Sequence, residues 1–462
     1  MKIQLISDVH GRFEKVKWDE SVDFILAAGD ISESSEKRFK FLLEAPAPVI
    51  FIAGNHSFYR SDITDKMEEI LEFCDKTNGF ITFLEKDIAT VDNVRILGTT
   101  LWSDFNNFNP ILVDAAEGLM NDYVLINAKK IRLMDEWKKQ IEEIDILHQR
   151  AKRFAFMKGG IEKTLIEKQH KLRQNRLTNK FDSILAEDMD MFTNNLSLIS
   201  KYNEFSFSPA VAYLLNKESV FWLDEALSTP FDGETIVMTH HAPSRVALSF
   251  SEYAVSPYAF DMDKYFERKV SPFKIGAYTS SLEGLATRHN INTWVHGHFH
   301  NKMLYRLGTA TVHCNPTGNK TNNEELTGVS TYIIDTEKNK YVKNEALVNN
   351  LDNIFYIIEC LTDWLKNNIN VYSSINVLKE VIVFNGLWEE ISIPLNNLFS
   401  VPSEEIPINV DRNLFINPLQ ILSLNQDVQY INDYEVKKIM NDSINILSSL
   451  KEMLYPWKRK LI

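Results

Sequence analysis

The sequence predicts a layered α/β fold in which two β-sheets pack face to face with helices outside. Two patterns point to it. Over the first hundred residues, short apolar runs alternate with helical stretches. Residues 235–334 then hold further strand-like runs with few helices between the last of them. The 462-residue chain is 44% hydrophobic and 24% charged, with 16 Gly and 14 Pro. That composition is an ordinary globular one and excludes the collagen, disordered and disulfide-scaffold classes.

In chain order, residues 1–8 already alternate like a strand and lack the apolar stretch and small-residue cleavage site of a secretory leader. Strands are expected at 3–6, 24–28, 49–53 and 94–97. From 129 to about 205 Gly and Pro nearly vanish, and Ile131, Met134, Trp137, Ile141 and Ile144 keep a helical spacing. Gly159-Gly160 would turn that stretch into a two-helix arm or cap. Within 150–180, ten basic residues face two acidic ones, so this segment carries +8 in a protein of net charge −13. The run reads either as a solvated helix face or as a docking surface for nucleic acid or a nucleotide. The overall acidity argues against a nucleic-acid grip spread over the whole surface.

Strands resume at 235–238, 292–295, 303–305, 309–313 and 331–334. Beyond 343 the composition shifts to Asn, Leu and Ile with a helical pattern, a scaffold or protein-docking element without clustered His or a Gly-rich loop. The expected division is therefore 1–128 and 206–342 as two halves of one domain, 129–205 as a helical insertion, and 343–462 as a helical C-terminal domain. Cys74, Cys314 and Cys360 are too dispersed for a disulfide framework, which favours a reducing compartment, the cytoplasm by default. No apolar run reaches the ~18 residues a membrane span needs.

Five blocks follow the expected strand ends: Ser7-Asp8-Val9-His10-Gly11, Ala28-Gly29-Asp30, Ala53-Gly54-Asn55-His56, Thr239-His240-His241 and His296-Gly297-His298-Phe299-His300. Open α/β sheets bind ligands at those ends. Asp8 and His10, two apart, can be turned toward one ion by the loop that follows the strand. Each block alone is commonplace. Together they hold seven of the eleven histidines, and packing alone does not explain polar groups placed repeatedly after buried strands.

The order Asp-x-His, Gly-Asp, Gly-Asn-His, His, Gly-His-x-His resembles the signature of the calcineurin-like metallophosphoesterases. The resemblance covers about 1–125 and 206–335. It extends to Phe58-Tyr59, Gly98-Thr99-Thr100-Leu101-Trp102 and Asn315-Pro316, which look like a bacterial subgroup of small phosphoesterases. It implies two divalent metals, one on Asp8, His10 and His300, the other on Asn55, His240 and His298, with Asp30 bridging them. Imidazole and amide ligands suit Mn²⁺ first, and Fe or Zn²⁺, better than Ca²⁺. The implied activity is hydrolysis of a phosphodiester or phosphomonoester, as in a phosphatase, phosphodiesterase or nuclease, by hydroxide generated at the metals, with His56 as general acid. One departure is Ser57, where the family usually has an acidic residue. His241 and His296 are expected beside the ligands or facing substrate, and Arg12 either meets a substrate phosphate or is simply exposed. The rival reading is a non-catalytic scaffold that keeps the fold and works through its helical parts.

Overall fold

The computed structural model describes residues 1–108, 110–128, 207–250, 277–318, 328–368, 394–395, 397–398, 401 and 433–461. The expected arm, its Gly159-Gly160 turn, the basic run at 150–180, His148 and His170 lie outside them.

The first half of the chain runs β1 (Lys2–Ile6), β2 (Phe24–Ala28), α1 (Ser35–Leu43), β3 (Val49–Ile52), α2 (Ile63–Asp75), β4 (Ile81–Phe83), β5 (Asp87–Val91) and β6 (Val94–Thr99). Three short helices follow, α3 (Phe105–Phe108), α4 (Pro110–Leu119) and α5 (Asp122–Leu125). The second half continues with α6 (Pro209–Ser228), β7 (Glu234–Thr239), α7 (Val246–Ser249), α8 (Glu283–Arg288), β8 (Thr293–His296), β9 (Met303–Leu307), β10 (Ala310–Cys314) and β11 (Ile333–Asp335). Two long helices complete it, α9 (Asn339–Asn368) and α10 (Asp433–Leu461).

The strands form two mixed sheets, ordered β11-β1-β2-β3-β4 and β5-β6-β7-β8-β10-β9. Strands β1 to β4 are mutually parallel, as are β6, β7, β8 and β10. The edge strands β11, β5 and β9 pair antiparallel. Strand β2 reads Phe-Ile-Leu-Ala-Ala and is buried throughout, the continuous apolar run of a strand covered on both faces. Its side chains alternate between two cores. Phe24 and Leu26 join Ile50, Ile96, Ile236 and Val295 between the sheets, while Ile25 and Ala27 join Phe39, Leu42 and Ile70 beneath α1 and α2. On the far side, Val237, Trp294 and Val312 pack on Leu223 of α6 and Leu285 of α8. Each such buried aliphatic side chain contributes about 1.5–3 kcal/mol, which sets the ends of the strands firmly in space.

The sequence reading omitted β4 and β5. β4 is only three residues long, and β5 is an edge strand whose core-facing side chains, Ala89 and Val91, are too few to mark it. At the opposite edge, α9 lies along β9. Asn349 Nδ2 donates to Leu304 O at 2.8 Å, and Asn350 exchanges two bonds with the Arg306 backbone. These amides occupy backbone groups that an exposed edge strand would leave open. α10 packs on α9, with Trp457 buried and ion pairs from Lys451 to Glu359 and Lys458 to Asp352.

Two further contacts place α5. Tyr123 stacks on Phe207 at 5.6 Å and 14°. The α5 segment is also bonded to the loop before α2 by Arg60 N to Leu125 O (2.7 Å), Asn127 N to Ser61 O (2.9 Å) and Ile63 N to Asn127 O (2.9 Å). Among the described residues no helix is long and apolar enough to cross a membrane.

Candidate metal centre

Five loops, following β1, β2, β3, β7 and β8, meet at one end of the sandwich. Asp8, His10, Asp30 and His298 take φ values of 48°, 48°, 53° and 65°. This left-handed region costs an L-residue about 1–2 kcal/mol, so the surrounding packing holds these side chains where local preference would not. Two glycines make the close approach feasible. A Cβ on Gly54 would collide with the Asp30 carboxylate and the His240 ring, and one on Gly29, itself at φ +91°, would collide with His240.

The side chains converge on Asp30. Its Oδ2 lies 3.3 Å from His240 Nε2 and 4.0 Å from both His10 Nε2 and His56 Nε2, while Oδ1 accepts from His56 N at 3.0 Å. Asn55 Oδ1 lies 3.0 Å from His240 Nε2 and 3.2 Å from His298 Nδ1. On the other side, Asp8 Oδ1 is 4.0 Å from His10 Nε2 and 3.9 Å from His300 Nε2, and it accepts from His298 N at 3.0 Å. Three groups have ligand atoms mutually within 4.8 Å: Asp8, His10 and His300; His10, Asp30 and His56; Asp30, His240 and His298.

Electrostatics match the geometry. Burial pushes Asp8 up to about 7. Burial would also raise Asp30, but the imidazoles of His240, His56 and His10 hold it well below the usual carboxylate range. Burial works against protonation of His240, yet Asp30 and Asp8 carry it up to about 9. Burial lowers His10, His298 and His300, the last to about 3, so these imidazoles stay neutral. A neutral imidazole has a lone pair to offer a cation.

The residues present fit divalent metals. Asp8 Oδ2 and His298 Nε2 are buried without a hydrogen-bond partner among the described residues, a costly arrangement for polar atoms that do not bind something. His240 Nδ1 lies 2.9 Å from Ala28 O, the kind of outer contact that orients a metal-ligating histidine with Nε2 toward the ion.

Other residues, near the site and beyond it, take different places. His241 is buried, with Nδ1 3.3 Å from Thr100 O and its ring 4.3 Å from that of His298. His296 sits at the end of β8 against Phe299 and Tyr305, with Nδ1 2.9 Å from Gly297 O. Burial lowers both, to about 3 and about 4. Arg12 donates to Gly318 O at 2.6 Å. His289 pairs with Asp224, and Cys314 is fully buried. Trp102, Phe105 and Phe108 lie in the core, with Trp102 5.3 Å from the His241 ring.

Two carboxylates were not singled out. Glu33 Oε1 lies 3.4 Å from His56 Nδ1, and its other oxygen accepts from Arg60 at 2.9 Å. Its signal was available, since it stands three residues after Asp30 in a loop leaving a strand end. Asp122 accepts from Asn55 Nδ2 at 2.8 Å and from Tyr59 OH at 2.7 Å, and nothing in its sequence context marks it.

Residues 1–302 match the family model described as calcineurin-like phosphoesterase. No curated protein matches the chain in sequence. Among solved structures, the phosphopantetheinyl hydrolase of Mycobacterium tuberculosis is similar at 14% identity and a TM-score of 0.38, with 69% of this chain and 90% of that one covered. A putative 5'-nucleotidase from Staphylococcus aureus is similar at 10% identity and a TM-score of 0.26, covering 72% of this chain and 54% of that one, so this chain spans about half its length.

Proposed function

Because the chain belongs to the calcineurin-like phosphoesterases, which are metal-dependent phosphoric ester hydrolases, we propose that it holds two divalent cations and hydrolyses a phosphodiester or phosphomonoester. The observation that supports this most is the sharing of His10 and Asp30 between neighbouring ligand groups. Asp8, His10 and His300 would hold one cation, Asn55, His240 and His298 the other, with Asp30 between them, and Mn²⁺ is the first candidate. When bound, such a pair polarises a phosphoryl oxygen and makes water a competent nucleophile near neutral pH.

The chain's own groups then do the positioning and the proton work. Asp30 offsets the charge of both cations, and its Oδ1 fixes the backbone that presents His56. The partly exposed His56 ring lies 4.2 Å from that of Tyr59 and reaches Glu33 with Nδ1. Its Nε2 is left to hold a proton for the departing oxygen, the role of a general acid. Glu33 would orient the ring, while Arg60, 2.9 Å from its other oxygen, holds Glu33 in place at the rim. Arg12 is a candidate contact for a substrate phosphate, and His241 and His296 stand behind the ligands.

For the substrate, the +8 run at 150–180 supports a nucleotide or nucleic acid, since a polyanion favours a local positive field even on an acidic protein. The C-terminal helices are candidates for docking a protein. The test is hydrolysis of a chromogenic diester and the matching monoester with added Mn²⁺, comparing the wild-type chain with Asp30→Asn and His56→Ala. Turnover of either ester, lost in Asp30→Asn, supports the reading. Equal rates in Asp30→Asn and wild type would overturn it.

A further inference from the structure

We propose that Asp122 is a positioning residue that anchors the metal-facing amide of Asn55 and the ring packed against His56 through one carboxylate oxygen. Asn55 Nδ2 and Tyr59 OH donate to the same atom, Asp122 Oδ1, at 2.8 and 2.7 Å. An asparagine side chain has two orientations related by a flip, and only one turns Oδ1 toward His240 and His298. An acceptor fixed on the Nδ2 side selects that orientation, because the flipped amide would set oxygen against carboxylate. Asp122 is 1% exposed, so an amide oxygen turned against it would leave both acceptors unmet at high cost, and the choice is enforced.

The second donor links the two halves of the chemistry. Tyr59 reaches Asp122 with its hydroxyl while its ring stacks on His56. The ligand amide and the ring packed on His56 are thereby referenced to one point. That point is itself fixed, since the three backbone bonds from 125 and 127 to residues 60, 61 and 63 hold α5 against the loop. The adjacent Ser57 does not do this work, because its Oγ accepts from Gly54 N at 3.3 Å. A carboxylate 67 positions from Asn55 supplies what Ser57 does not.

This inference rests on the metal-centre reading and separates from it by experiment. Mn²⁺ binding is measured by calorimetric titration of the full chain, its Asp122→Ala variant and its Tyr59→Phe variant, alongside kcat and KM. Asp122→Ala is expected to weaken one of the two Mn²⁺ sites by about 10- to 100-fold while leaving the other unchanged. Tyr59→Phe is expected to keep both affinities and KM while lowering kcat by severalfold, a split that a general loss of structure would not give. If Asp122→Ala does not fold, Asp122→Asn carries the test: it keeps the shape and an accepting oxygen, and one site should weaken by about threefold to tenfold. Wild-type affinity at both sites in the folded Asp122 variant would overturn the proposal. Absence of Mn²⁺ binding to the wild-type chain would instead overturn the metal-centre reading on which it stands.

Discussion

His10 and His300 present their Nε2 atoms to each other across 3.1 Å. Both nitrogens also face Asp8 Oδ1, at 4.0 and 3.9 Å, and burial keeps both rings neutral. One proton can join the two nitrogens in an N–H···N bond but leaves the carboxylate out, whereas one cation would meet both nitrogens and the carboxylate together. Mn²⁺ is therefore expected to stabilise the fold, by about 2.7 kcal/mol at a hundredfold excess over its Kd. Differential scanning fluorimetry with Mn²⁺ and with EDTA reads this directly, and His300→Ala should shrink the difference. Identical melting curves with and without Mn²⁺ would count against the site.

Among the described residues Glu33 pairs with His56 and Arg60 and with no ligand of the proposed cations. Glu33→Gln should leave Mn²⁺ affinity intact and lower kcat about tenfold, less than the 10²- to 10⁴-fold loss expected for His56→Ala. Steady-state kinetics on the chromogenic ester distinguish these outcomes. A Glu33→Gln enzyme with unchanged kcat would remove Glu33 from the proton-handling step.

Neutralising Lys168, Lys171, Arg173 and Arg176 tests the substrate class. Hydrolysis of nucleic acid should fall by at least tenfold at low salt while turnover of a small diester is kept, and the salt dependence of the nucleic-acid reaction should flatten. Parallel losses on both substrates would point to a structural role for the segment and away from a polyanion.

His313 offers a pH test away from the ligands. It is 4% exposed on β10, with Nδ1 3.0 Å from Tyr332 OH, and burial pushes it down to about 3. In the unfolded chain it takes a proton near 6.5, so between pH 6.5 and 3 the unfolded state binds more protons than the folded one. Its contribution is complete above pH 6.5 and is lost as the pH falls toward 3, at up to about 1.4 kcal/mol per unit. Urea melts of wild type and His313→Gln should show a stability gap at pH 7 that shifts by about 2 kcal/mol in the variant's favour at pH 5. A gap independent of pH would mean that His313 does not titrate on unfolding.

What the sequence made legible follows from how locally each feature is encoded. β2 was readable because Phe24, Ile25, Leu26, Ala27 and Ala28 are apolar without interruption, and its strand bounds were read to the residue. β5 was not, because its inward face is just Ala89 and Val91, half-buried at the edge of the sheet. The same holds at the site. Asp8 with His10, and His298 with His300, lie within one loop each, so the five blocks taken together made them legible. The bond from Asn55 to Asp122 spans 67 positions and depends on how α5 docks, which no local pattern reports. Glu33 falls between these cases, close to Asp30 in sequence yet recognisable only once His56 is seen beside it.

The stack of Tyr123 on Phe207 joins residues on either side of segment 129–206. Ala128 and Phe207, the described residues that flank it, are both buried in the same cluster as Trp102 and Phe58. The residues that flank the segment therefore belong to one core, which fixes where it leaves and rejoins the described structure. In evolutionary terms, ends anchored in one core make a natural graft point, because the cost of closing the chain between them grows only slowly with the length inserted. A shortened chain with 129–206 replaced by a brief Gly-Ser linker is thus the natural vehicle for crystallising the catalytic core alone.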